Sequence, residues 1–117
     1  MGLLEELKEL GANVDEGLER LGGNQALYER LLGSFLKTME AHRVTPDFDT
    51  ADLTEAIEKT HAIKGTSGNL SITPVYEAYT EIVALLRADK PEQAKEELVK
   101  ILPVQEKIME CIEKYSK

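Results

Sequence analysis

Apolar residues in this chain recur every three or four positions for most of its length, and nowhere do they alternate with period two under β-branched residues. That spacing lines them along one face of an α-helix, and such a face is buried most readily against other helices. Leu3, Leu4, Leu7 and Leu10 predict a short helix over 3–10 that ends at Gly11. Asp15 is expected to cap a second short turn through Leu21, stopped by Gly22-Gly23. Asn24 then caps a long helix in which Leu27, Leu31, Phe35 and Met39 recur every four residues, with Tyr28, Leu32 and Leu36 widening the stripe. Residues 42–50 read as loop. The next helix is expected to start near Asp52, with Glu55 as a capping-box partner. Its positions Leu53, Ala56, Ile57, Thr60, Ile63, Ser67 and Leu70 keep helical period straight through Gly65 and Gly68. Thr73-Pro74 opens a helix through Arg87, and Pro91 opens a last one with Pro103 inside it. The connections are short. The expectation is all-α: an antiparallel four-helix bundle with one or two short N-terminal helices.

The length of 117 residues suits one domain spanning 1–117, and no repeat, low-complexity stretch or long linker divides it. With no Trp, two Phe and four Tyr, the core is expected to be aliphatic. Lys and Arg total 14 against 22 Asp and Glu, a net charge of 14 − 22 = −8. A chain so negative is repelled by nucleic acid and by anionic membrane surfaces, so neither is an expected partner. The single Cys111 has no disulfide partner within the chain and reads as a small buried residue. Met1-Gly2-Leu3-Leu4-Glu5-Glu6 matches neither a signal peptide nor, with Glu6, a myristoylation signal. Apolar runs such as Ile82-Val83-Ala84-Leu85-Leu86 fall far short of the ~20 residues that span a bilayer. A cytoplasmic monomer is the expectation.

Most catalytic signatures are missing: there is no Gly-rich nucleotide loop, no G-x-S-x-G, no H-E-x-x-H and no Cys/His pairing. Asp47-x-Asp49 with Glu58 has the outline of a calcium loop, but Ala51 and Asp52 occupy positions that need a ligand and a glycine. Those Asp residues read better as helix and turn caps, and no bound metal or cofactor is expected. His42, at a helix end, reads as a surface histidine.

What remains is Thr60-His61-Ala62-Ile63-Lys64-Gly65-Thr66-Ser67-Gly68-Asn69-Leu70. At about 100° per residue His61 falls off the apolar stripe, and Lys64, Gly65 and Gly68 follow at i+3, i+4 and i+7 on its own face. Two helical glycines cost about 1 kcal/mol each relative to Ala. Their missing side chains would let another surface reach His61, and Lys64 would stand where an anion on the imidazole sits. A neutral imidazole nitrogen can hold a phosphoryl group covalently. Spacing alone leaves a second reading open, in which Gly65 or Gly68 ends the helix and His61 is a capping residue.

The segment His61-Ala62-Ile63-Lys64-Gly65-Thr66-Ser67-Gly68-Asn69-Leu70 resembles the active helix of histidine-containing phosphotransfer (HPt) domains, H-x-[LI]-K-G-x-[AS]-[GA]-x-[ILV]. Upstream, Gly17-Leu18-Glu19-Arg20-Leu21-Gly22-Gly23-Asn24 and the stretch from Leu27-Tyr28 to Leu31-Leu32-Gly33-Ser34-Phe35-Leu36 are similar to the same family's N-terminal half. The resemblance covers about residues 14–115. It implies a helical bundle that shuttles phosphoryl groups between histidine and the aspartate of response-regulator receiver domains. It further implies His61 as phosphoacceptor and Lys64 as electrostatic aid. Gly65, Ser67, Gly68 and Asn69 would serve docking or close approach, Ser67 and Gly68 as small positions that let the helix pack and the partner dock. A sensor or hybrid histidine kinase would stand upstream, and Mg²⁺ would be carried by the partner receiver. The polar residue with which several family members hold the imidazole falls on Val83 here. Glu81, Thr80 or Tyr79 is expected to substitute, or else a backbone carbonyl or water, and the sequence does not choose among them.

Overall fold

A computed structural model describes residues 2–116. Among them there are six helices and no strand: α1 (Leu3–Glu9), α2 (Val14–Arg20), α3 (Gln25–Ala41), α4 (Thr54–Asn69), α5 (Thr73–Arg87) and α6 (Pro91–Tyr115). Helices α3, α4, α5 and α6 close a ring of contacts, α3 on α4, α4 on α5, α5 on α6 and α6 on α3. The short α1 lies on α6, and α2 bridges α1 to α3. Among the described residues no helix is long and apolar enough to cross a membrane.

Helix starts follow the expected chemistry, with two shifts of residue. Asn24 caps α3 as expected, its Oδ1 accepting from the Leu27 N–H at 3.0 Å. The cap of α2 is Asn13 and not Asp15: its Oδ1 accepts from the Glu16 N–H at 3.2 Å, and Asp15 lies two residues further on, inside the first turn. Asp52 and Glu55 form no capping box. Asp52 accepts from the Thr54 N–H at 3.0 Å, while Glu55 turns outward to Lys59 at 2.7 Å. Helix α6 runs unbroken past Pro103, which is exposed on its outer side.

The core draws Leu32, Phe35 and Met39 from α3, Ile63 from α4, Val75, Ile82 and Leu86 from α5, and Leu98, Ile108 and Ile112 from α6. It is less purely aliphatic than the composition suggested. Tyr28, Tyr79 and Phe35 are its largest fully buried side chains. Each tyrosine brings a partner for its hydroxyl, as a buried O–H requires. Tyr28 donates to the Leu70 carbonyl at 2.7 Å, and Tyr79 bonds the buried Gln105 of α6. Burial pushes the Tyr28 phenol up to about 12. Cys111 is buried as expected; its thiol, donating to Glu6 at 3.3 Å, is pushed up to about 11, chiefly by burial. Glu6 also accepts from Lys114 at 2.9 Å, which fastens α1 to the end of α6.

Gly17 shows how closely α2 is seated. A Cβ there would stand 2.6 Å from the Tyr28 ring and 2.9 Å from the Leu70 carbonyl oxygen. Helix propensity favours Ala by about 1 kcal/mol, but overpacking a buried contact costs about 1–3 kcal/mol, and neither neighbour is free to retreat. Gly17→Ala is therefore expected to lower the urea midpoint, against the propensity trend. A raised midpoint would mean that the Tyr28 ring shifts at no cost.

Candidate functional site

Helix α4 buries Ala56, Thr60, Ile63 and Ser67, a repeat of four and three residues that keeps one face inward. Two of these are hydroxyl residues, and each is satisfied within the helix. Thr60 Oγ1 donates to the Ala56 carbonyl at 2.8 Å, and Ser67 Oγ to that of Ile63 at 2.7 Å. Inward register at Thr60 turns His61 outward, about 100° around the axis. His61 is exposed, midway along α4, and the helix continues without a break through Gly65 and Gly68 to Asn69. The reading in which a glycine ends the helix at the motif is thereby overturned.

Beside His61 lies a hollow of about 650 Å³ between α4, the start of α5 and α2. His61, Lys64, Gly65, Gly68 and Asn69 line it from α4, and Thr73, Tyr76 and Glu77 from α5. Lys64 is half-buried and makes no ion pair among the described residues, so its charge is not already committed. A Cβ on Gly65 would meet nothing within 4 Å, so the helix there is bare toward the solvent.

Both small positions expected to let the helix pack and a partner dock are taken up by packing. Ser67 is 0% exposed and faces the core, where its small side chain lets α4 approach its neighbours. Gly68 is half-buried under the Tyr76 ring, and a Cβ there would stand 2.8 Å from two ring carbons. Its bareness admits Tyr76 rather than an outside surface.

None of the side chains expected to substitute from the middle of α5 reaches the imidazole. Val83 is 2% exposed and belongs to the α5 core face. Tyr79 is engaged with Gln105, Thr80 donates back to the Tyr76 carbonyl at 2.7 Å, and Glu81 points to solvent. Among the described residues nothing hydrogen-bonds the His61 ring, which leaves both nitrogens open to solvent or to a partner.

The other wall comes from α2, which the sequence did not connect with His61. Helix α4 ends in a Schellman motif: the Ile72 N–H reaches back to the Ser67 carbonyl at 2.9 Å, and the Ser71 N–H to that of Gly68 at 3.2 Å. Ser71 occupies the left-handed position with φ 56°, where glycine is usual. Its contacts offset the strain. Its Oγ donates to Glu16 at 2.7 Å, and its carbonyl accepts from the Asn13 N–H at 2.8 Å. Arg20 completes the clasp, holding Glu16 at 2.9 Å and donating to the Gly68 carbonyl. Asn13, Glu16 and Arg20 thus border the hollow, fixed to the end of α4. The Glu16–Arg20 spacing of four residues is a sequence sign of that ion pair, but not of its contact with α4.

His42 and the acidic loop lie elsewhere. His42 ends α3 with Nδ1 at 3.0 Å from the Thr38 carbonyl, half-buried. Asp49 accepts from the Ala51 N–H at 2.8 Å, and Asp47 bonds Thr45, the roles of turn residues.

No protein-family model, no curated protein and no solved structure matches this chain.

Proposed function

We propose that this chain is a phosphorelay intermediate, an HPt-like carrier whose four long helices form an antiparallel four-helix bundle. It accepts a phosphoryl group on His61 from a receiver-domain phosphoaspartate, or from a sensor or hybrid histidine kinase. It then passes the group to a response-regulator aspartate. The carrier works as a cytoplasmic monomer, and it is a substrate of the relay rather than an enzyme. One observation carries the reading: a solvent-facing imidazole in mid-helix, with an uncommitted lysine one turn on and a bare glycine beside it. A structural helix has no use for that combination.

In the transfer, the lone pair of a neutral His61 ring nitrogen attacks phosphorus in line with the leaving oxygen. The N–P bond forms as the P–O bond breaks, and the aspartate leaves as a carboxylate with the bonding pair. The other ring nitrogen keeps its proton. Both bonds are energetic, so the step runs in either direction. Mg²⁺ on the receiver would neutralise phosphoryl charge there. This chain holds the imidazole on a rigid helix and sets the Lys64 ammonium near the phosphoryl oxygens.

Incubation with a receiver domain charged from radiolabelled acetyl phosphate tests the reading. Acid-labile, base-stable label on His61 is the expected result. Binding with no transfer would mean that the chain is an interaction module that only sequesters a receiver. Lys64→Ala is expected to slow transfer about tenfold in both directions, the equivalent of about 1.4 kcal/mol, with the thermal midpoint unchanged. Equal rates at low salt would reduce Lys64 to a solubilising residue.

A further inference from the structure

Only a few large apolar side chains of the described residues stand exposed, and one of them, Tyr76 at 39%, lies in the hollow beside His61. It falls outside the buried stripe of α5, which runs through Val75, Tyr79, Ile82, Val83 and Leu86. Core packing therefore does not account for an aromatic residue at this position. The ring packs against the bare backbone of Gly68, with two ring carbons 2.8 Å from where a Cβ would stand, so any larger residue there would displace it. Its orientation is set before any partner arrives, so little side-chain freedom is lost on binding. The Tyr76 hydroxyl has no hydrogen-bond partner among the described residues. An oriented aromatic with a free polar tip, ringed by charged and amide side chains, has the anatomy of an interface anchor.

We infer that Tyr76 is the aromatic anchor for the receiver domain that exchanges phosphoryl groups with His61, seated on Gly68 for that purpose. The inference rests on the carrier reading above and goes beyond it by naming a residue that recognises the partner without touching the reacting atoms. Charge next to the imidazole fits this occupant. The lining is balanced overall, Arg20 and Lys64 against Glu16 and Glu77, but Lys64, one turn from His61, is the cation left unpaired among the described residues, and the acyl-phosphate end of a receiver is anionic. Glu16, on the same rim, is already held by Arg20 and Ser71 and repels less than a free carboxylate. Ring burial supplies affinity, while Lys64 steers the phosphoryl end toward His61.

Two phosphodonors separate this role from the chemistry. Phosphoramidate is a small molecule that reads the imidazole alone, whereas a receiver charged with acetyl phosphate must also dock. Tyr76→Ala is expected to keep its helical circular dichroism and to take label from phosphoramidate at the parent rate. With the charged receiver it should need about ten- to thirtyfold more donor for half-maximal rate, the maximal rate changing little. Tyr76→Phe, which keeps the ring, should restore most of the loss. An unchanged donor requirement in Tyr76→Ala overturns the anchor. So does a parallel loss with phosphoramidate, which would put Tyr76 at the reacting atoms. If the parent protein takes no label from a charged receiver, the carrier reading fails and the anchor with it; if it takes that label and Tyr76→Ala keeps the parent's donor requirement, the anchor alone fails.

Discussion

His61→Gln is expected to leave the helices intact and to abolish phosphoryl acceptance. The imidazole is exposed and bonded to nothing among the described residues, so its loss removes no core packing and strands no buried partner. Surface substitutions of that kind stay within about 0.5 kcal/mol of the parent, and glutamine is a better helix former than histidine. The amide of glutamine has no nucleophilic nitrogen lone pair, because its electrons are delocalised into the carbonyl. Thermal denaturation and label from phosphoramidate check the two halves of the statement. If the variant takes acid-labile phosphate at the parent rate, the acceptor is elsewhere. His42 is then the one other histidine to test, although its Nδ1 lies 3.0 Å from the Thr38 carbonyl at a half-buried helix end.

Gly65 separates stability from activity more sharply than any other position. The residue is inside α4, faces solvent, and has room for a Cβ. Gly65→Ala is expected to stabilise the protein by roughly 0.5–1 kcal/mol, through helix propensity and a less flexible unfolded chain. The added carbon would stand one turn from the His61 ring, on the path by which a receiver's phosphoaspartate approaches. A misplacement of about 1 Å in such a complex can cost on the order of a hundredfold in rate. Gly65→Ala should therefore slow transfer from a receiver, and Gly65→Gln should nearly stop it, while thermal midpoints hold or rise. Gly33 supplies the control. It too is inside a helix with nothing within 4 Å of a Cβ, but it is on α3, away from the hollow. Gly33→Ala should stabilise by a similar amount and leave transfer unchanged. A fall of several degrees in the Gly65→Ala midpoint would mean that the position is packed closely in solution, and the open approach to His61 would be lost with it.

The helices of this protein are legible in its sequence because each is specified locally. Apolar period, the Asn24 cap, the glycines after α1 and α2 and the prolines at the starts of α5 and α6 act within a turn or two of the residues they organise. The outward direction of His61, Lys64 and Gly65 is local in the same sense, since the phase of one helix relates them to the buried Thr60 and Ile63. The inward direction of Ser67 was legible from the same stripe, but what sits against Gly68 was not, because a small residue that admits a neighbouring side chain looks the same in sequence as one that admits a partner. The neighbour had to be known, and it is the Tyr76 ring. The cap of α2 was misplaced by two residues for a related reason, as Asn13 and Asp15 are both good caps and the Ser71 carbonyl, bonded to the Asn13 backbone, favours the first. Only tertiary structure sets α2 at the rim of the hollow. Glu16 and Arg20 meet the end of α4 across some 50 residues of chain, at contacts that depend on Gly17 letting α2 sink against Tyr28. Periodicity carries each helix's phase but not which ends meet, and that is decided by the side-chain volumes and hydrogen bonds of residues far apart in the chain.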